Sequence, residues 1–171
     1  MNDQASPRRV VIIGGGFAGL FAARALRRAP VQVTLIDRAA HHLFQPLLYQ
    51  CSTGILSEGK ITAPLRELLR KHRNVECILA EVTGIDPEQR RVQARRPGGE
   101  RMEFGYDYLV VAAGVEQSYF GHDEFARYAP GMKSVEVSAI SNAPNTRRRM
   151  TRASSTVFMP GSYLANSSWP K

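Results

Sequence analysis

Arg9-Val10-Val11-Ile12-Ile13-Gly14-Gly15-Gly16-Phe17-Ala18-Gly19-Leu20 is the stretch on which the fold turns. Its opening run of valine and isoleucine predicts a strand, and that run stops at three glycines. From Phe17 to Arg28 the chain is rich in alanine and leucine, with Leu20, Ala23 and Leu26 at helical spacing. Arg27 and Arg28 suit the carbonyl end of such a helix, and Pro30 forbids its continuation. Val31 to Ile36 then alternates into a second strand that ends on an acid, Asp37. Residues 9 to 37 therefore predict a complete βαβ unit with parallel strands.

Within that unit the glycines fall as Gly14-x-Gly16-x-x-Gly19, after a strand and at the opening of a helix. Gly14 permits a tight turn, Gly16 lets the backbone approach a pyrophosphate, and Gly19 lets helix and strand pack closely. The helix N-terminus offers unpaired N–H groups to the anion. Asp37 stands 23 residues after Gly14, where a carboxylate accepts hydrogen bonds from both hydroxyls of an adenosine ribose and disfavours a 2′-phosphate. Strand, glycines, helix and acid together point to a dinucleotide; the competing reading is a glycine-rich turn with no ligand.

Outward from the unit, residues 39 to 59 lose their period. They bring paired histidines, aromatics, Pro46 and a run of small residues, and they read as a loop-like excursion of functional length. His41 and His42, with no cysteine or spaced acids near them, read as turn or loop histidines rather than metal ligands. Ile61 to His72 predicts a helix with Pro64 in its first turn and Leu65, Leu68 and Leu69 on one face. Val75 to Val82 predicts a third strand. Asp86-Pro87 and Pro97-Gly98-Gly99 mark turns in a small antiparallel meander over residues 83 to 105. Tyr108 to Ala112 is a fully apolar strand ending at Gly114.

Past residue 134 the character changes. Residues 135 to 171 hold seven serines, three asparagines, three prolines and no sustained apolar period, which predicts a disordered tail. The expected organisation is thus a dinucleotide-binding domain over residues 1–134 and a separate tail over residues 135–171.

At 171 residues, with 43% hydrophobic and 22% charged residues, the chain can bury a core without staples. Two cysteines, Cys51 and Cys77, are too few for a secreted disulfide framework. The chain opens with no signal pattern, which gives a cytoplasmic expectation. No apolar run approaches the roughly 18 residues of a spanning helix. The net charge of +8 divides evenly between the tail and residues 1–134. Its arginines, among them Arg90, Arg91, Arg95 and Arg96, lack interleaved aromatics, so a solvated surface rather than nucleic-acid binding is expected.

Tyr106-Asp107-Tyr108-Leu109-Val110-Val111-Ala112-Ala113-Gly114 delivers a buried strand to a small-small-Gly end, which leaves room beside a bulky cofactor. Together with the glycine motif it resembles the two-dinucleotide-domain flavoproteins, in which such a strand ends Ala-Thr-Gly; Ala113 stands here in place of the threonine. The run His42-Leu43-Phe44-Gln45-Pro46-Leu47-Leu48-Tyr49-Gln50, followed by Ser52-Thr53-Gly54, looks most like type II NADH dehydrogenases, the single-subunit NADH:quinone oxidoreductases. The resemblance covers residues 8 to 134.

It implies an α/β fold: a Rossmann-like, mostly parallel sheet with an inserted antiparallel meander, forming an incomplete FAD-binding domain. It also implies a non-proton-pumping oxidoreductase that uses FAD and passes electrons from NADH to a quinone. Peripheral attachment to the cytoplasmic face of a membrane is implied for the full-length form only. The cofactor-binding set implied is Gly14, Gly16, Phe17, Ala18, Gly19, Asp37, Arg38, Gln45, Pro46, Ala112, Ala113 and Gly114. The Gln45-to-Tyr49 segment, including Leu47, runs beside the isoalloxazine in that family; a core position under a loop is the other reading for Phe44, Leu47, Leu48 and Tyr49. A full member would continue with a second glycine module for NADH, and this sequence carries none. The expectation is an amino-terminal FAD half, left by truncation or a frame shift, that is inactive alone. Non-catalytic flavin or nucleotide binding is the alternative, as is a sulfide:quinone-type relative using Cys51. A dithiol reductase is disfavoured, since a Cys-x4-Cys partner would fall at Pro46 or Leu56.

Overall fold

The computed structural model describes residues 6–115, 118–128, 131 and 133. The tail expected from residue 135 onward lies outside the described residues.

The βαβ unit forms as the sequence dictates. Strand β1 (Arg8–Ile13) leads through the glycines into helix α1 (Phe17–Ala25), whose last turn tightens to a 3₁₀ turn over Leu26–Arg28. Strand β2 (Val31–Asp37) then pairs with β1 in parallel, Ile12 opposite Leu35. Strands β5 (Val75–Leu79) and β9 (Tyr108–Val111) flank them, giving a four-stranded parallel sheet in the order β5-β2-β1-β9. Val10 to Ile13 are all buried because both faces of β1 are covered, which is why that run shows no alternation.

On one face, Val10, Ile12, Val33 and Leu35 pack against Leu20 and Ala23 of α1 and against Leu65 and Leu69. On the other, Val11, Ile13 and Ile36 meet Val92, Ala94 and Tyr106. This second layer is the antiparallel meander β6 (Glu81–Asp86), β7 (Arg91–Arg95) and β8 (Arg101–Gly105). The chain is therefore an α/β three-layer stack of helices, parallel sheet and meander, as expected. Fully burying a side chain such as Ile12 or Leu35 contributes about 1.5–3 kcal/mol.

Three expectations need correction. Residues 39–59 are not a structureless loop: β3 (His41–Leu43), a 3₁₀ turn over Gln45–Leu47 and helix α2 (Leu48–Ser52) occupy most of them. Leu48, Cys51 and Ile61 form a small core of their own. The helix expected over residues 61–72 is instead strand β4 (Thr62–Pro64), antiparallel to β3, and a single turn, α3 (Leu65–Leu68). Proline holds the residue before it extended, and Pro64 sits at the N-cap rather than inside the first turn. The third strand ends at Leu79, three residues early: the Ala80 N–H makes the last bond of the ladder with β2, to the Asp37 carbonyl at 2.9 Å, and from Glu81 the chain pairs with β7 instead. No helix among the described residues is long and apolar enough to cross a membrane.

The glycines differ in what surrounds them. A β-carbon on Gly19 would overlap the Gly14 carbonyl oxygen, whereas one on Gly16 would meet nothing within 4 Å. Gly19→Ala is expected to lower unfolding free energy by about 1–3 kcal/mol, the cost of forcing an extra carbon into a packed site. Gly16→Ala should stay within about 0.5 kcal/mol of the parent. Denaturant melts of both variants check this, and equal stability of the two would show that α1 does not start against the turn as described.

Candidate dinucleotide-binding cleft

A cleft of about 1250 Å³ opens at the carboxyl ends of β1, β2 and β9, where open α/β sheets receive their ligands. Its floor is the glycine turn. Gly14 has φ +103°, its N–H donates to the Ile36 carbonyl at 2.8 Å, and a β-carbon on it would strike the Ala112 carbonyl of the strand-end segment. The turn is thus wedged between β2 and the end of β9, with room for backbone alone.

Helix α1 begins at this floor with Gly16 as N-cap, no side-chain cap and no acid in its first turn. Gly16, Phe17 and Ala18 are exposed to the cleft. The orphan N–H groups of a helix start are therefore left for an outside partner, and the helix dipole there favours an anion. The open space at Gly16 is where such a group can come against the backbone.

Asp37, at the end of β2, does more than was expected. Its Oδ2 accepts the Gly15 N–H and its Oδ1 accepts the Ala39 N–H at 2.6 Å. Each carboxylate oxygen has a second lone-pair direction, so the side chain can hold the turn and still accept from a ribose hydroxyl in the cleft it lines.

Of the residues singled out from the sequence, Gly14, Gly16, Phe17, Ala18, Asp37, Arg38, Gln45, Ala112, Ala113 and Gly114 line this one cleft. Gly19 and Pro46 do not. Gly19 acts from beneath by letting α1 approach the turn, and Pro46 lies in the 3₁₀ turn behind Gln45, whose Nε2 donates to the Lys133 carbonyl at 3.3 Å. Phe44 and Tyr49 are exposed, whereas Leu48 is core.

The sequence reading missed several lining residues. Arg95 and Arg96, read as solvated hairpin surface, form part of the wall, with Arg95 3.6 Å from Glu81 and Arg96 3.1 Å from Glu100. The two histidines are not loop residues: the alternation of β3 sends His41 and Leu43 to the cleft and buries His42. The His42 Nδ1 lies 3.0 Å from the Gly15 carbonyl, and Phe17 meets its ring edge-on at 4.9 Å.

Cys51 is 1% exposed beneath Leu48 and Ile61, so its sulfur does not reach the cleft. Burial pushes the Cys77 thiol up, opposed by the Arg66 guanidinium and reinforced by Glu76. Neither is placed as a thiolate nucleophile.

Comparison with known proteins agrees with this architecture. Residues 8–155 match the family model of the pyridine nucleotide-disulphide oxidoreductases. Over 128 residues the chain is 56% identical to the type II NADH:quinone oxidoreductase Ndh of Mycobacterium tuberculosis, a match covering 75% of this chain and 27% of that protein. The chain thus spans about a quarter of the length of that curated relative. Among solved structures, the NDH2 of Plasmodium falciparum in complex with NADH superposes with a TM-score of 0.69 at 22% identity, covering 90% of this chain and 30% of that one. The sulfide:quinone oxidoreductase of Aquifex aeolicus does so at 0.68 and 25% identity, covering 88% and 33%. The family model matches residues 8–155, most of the chain and the whole of its strand–glycine turn–helix–strand unit, and the chain belongs to the pyridine nucleotide-disulphide oxidoreductase family.

Proposed function

We propose that this chain holds FAD as the flavin half-site of an NADH:quinone oxidoreductase. The observation that carries the reading is the uncapped, acid-free start of α1, open at Gly16 to a cleft that Asp37 also lines. The N–H groups of that first turn would receive the pyrophosphate, Asp37 the adenosine ribose, and Gln45 with Ala112 to Gly114 the walls beside the remainder of the cofactor. The cleft, at about 1250 Å³, is larger than the roughly 300–1,000 Å³ of an ordinary small-molecule pocket, which leaves room for a ligand as long as a dinucleotide. When bound, FAD supplies the ring that takes up hydride and releases electrons. The protein's own part is to bind, orient and neutralise the phosphate charge with backbone dipoles.

The choice of NADH and a quinone as reaction partners rests on the identity with the mycobacterial relative. A sulfide-oxidising role would call on thiol chemistry, and the burial of Cys51 speaks against it. Hydride transfer further requires a nicotinamide held against the flavin. Among the described residues there is one such glycine turn, and FAD would occupy it.

Added FAD or ADP should bind the purified chain with a calorimetric signal. Asp37→Ala should weaken binding by about 1.5–3 kcal/mol, the loss of hydrogen bonds to a charged group, and Gly16→Val should weaken it further by filling the approach to the turn. Wild-type protein with no flavin band and no uptake of FAD at high micromolar concentration overturns the assignment.

Steady-state oxidation of NADH with a soluble quinone should be no faster with this chain plus FAD than with free FAD at the same concentration. Turnover clearly above that background, and lost in Gly16→Val, would show that the chain positions both cofactors unaided.

A further inference from the structure

The glycine turn is held by two side chains, and only one of them belongs to the dinucleotide pattern read from the sequence. Asp37 takes the N–H of Gly15; His42 takes its carbonyl. Gly15 is buried, and a β-carbon on it would stand 2.5 Å from Leu65 Cδ1 and 3.2 Å from Asp37 Oδ2. The residue therefore rests on a platform of Leu65, Asp37 and His42, supplied by α3, β2 and β3. His42 is 8% exposed and is the one polar or charged side chain among the buried described residues. A carbonyl oxygen only accepts, so Nδ1 must carry the proton in this contact. Phe17, the first residue of α1, closes on the imidazole edge-on at 4.9 Å, and Phe44 closes on Phe17 at 5.6 Å.

The consequence lies in the next peptide. In a trans planar peptide the C=O and the following N–H point in opposite directions. With the Gly15 carbonyl fixed on the buried imidazole, the Gly16 N–H is directed the other way, on the side where Gly16 is exposed. Were that peptide to rotate, a carbonyl dipole would replace an N–H at the anion's approach.

We propose that His42 is a positioning residue for phosphate binding: its Nδ1–H holds the Gly15 carbonyl down so that the Gly16 N–H faces the ligand's pyrophosphate beside the first turn of α1. This rests on the proposed flavin-dinucleotide site and adds to it a group that touches no ligand. It also gives the 39–59 excursion, with the segment that follows it to residue 72, a task. Strand β3, paired to β4 through His42 opposite Ala63, carries the clamp to the turn, and Leu65 of the following helix completes the platform.

The test compares ADP with adenosine on the full 171-residue chain, followed by NMR so that millimolar affinities are read. In His42→Leu, which keeps bulk and removes the donor, ADP affinity should fall about five-fold or more, with adenosine affinity unchanged within about two-fold. His42→Asn, whose Nδ2 stands near the place of Nδ1, should restore most of the ADP affinity. Equal ADP affinity of His42→Leu and wild type overturns the proposal, as does a parallel loss of ADP and adenosine, which marks a merely structural role. Should His42→Leu fail to fold, the wild-type ring decides: a long-range ¹H–¹⁵N spectrum must show the Nδ1-protonated tautomer, assigned by its absence in His42→Asn. An Nε2-only protonated ring overturns the clamp. Wild-type protein that binds neither ADP nor adenosine overturns the flavin site itself, an outcome separate from any difference between variants.

Discussion

The approach of helix α1 to the glycine turn is the constraint on which the rest of this structure depends. Gly19 lies so close to the Gly14 carbonyl that no β-carbon fits between them. Gly14 in turn lies so close to the Ala112 carbonyl that a side chain there would collide with the strand-end segment. These two contacts draw α1, β1 and the end of β9 together at one point. The helix can then lay Leu20 and Ala23 on Val10 and Ile12, and its N-terminus arrives at the cleft floor with no capping side chain. The backbone character of the proposed anion site follows from this steric closeness before any charged residue is considered.

Side chains around that floor act on the backbone more than on the cleft. Asp37 accepts from Gly15 and Ala39, so one carboxylate fixes both the glycine turn and the departure of the chain after β2. Arg95 and Arg96 are drawn to Glu81 and Glu100 on the meander itself. As pairs exposed to solvent, these contribute about 0–1 kcal/mol each. At the proposed site the oriented N–H groups at the start of α1, with Arg38 on the cleft wall, would supply the attraction for a phosphate.

How much of this was legible in the sequence follows the distance over which each element is determined. β1, α1 and β2 could be read because their periods, the Pro30 stop and the glycine spacing are all local. Asp37 was legible because it ends a strand already identified. The 39–72 segment was not, since β3 and β4 are three residues each, too short for a period to show, and each exists through pairing with the other. Pro64 was read as tolerable in a first turn, while its stronger effect is to keep Ala63 extended. The inward turn of His42 and the place of Arg95 and Arg96 on the cleft wall are set by tertiary closure, so from the sequence the histidine pair reads as loop and the arginine run as surface.

The excursion therefore carries a meaning opposite to its appearance as an aperiodic insert. The segment has two short strands, two short helices and a private core of Leu48, Cys51 and Ile61, and it meets the βαβ unit through a few side chains. What it delivers to that unit is concentrated at one place: Leu65 beneath Gly15, His42 on the Gly15 carbonyl, and Leu43 and Gln45 on the cleft wall. A glycine turn is permissive by composition, since each glycine gives the backbone more freedom than any other residue. A turn that must present N–H groups in fixed directions needs that freedom removed from outside. The non-periodic segment removes it here, at the cost of being unreadable except through the structure it serves.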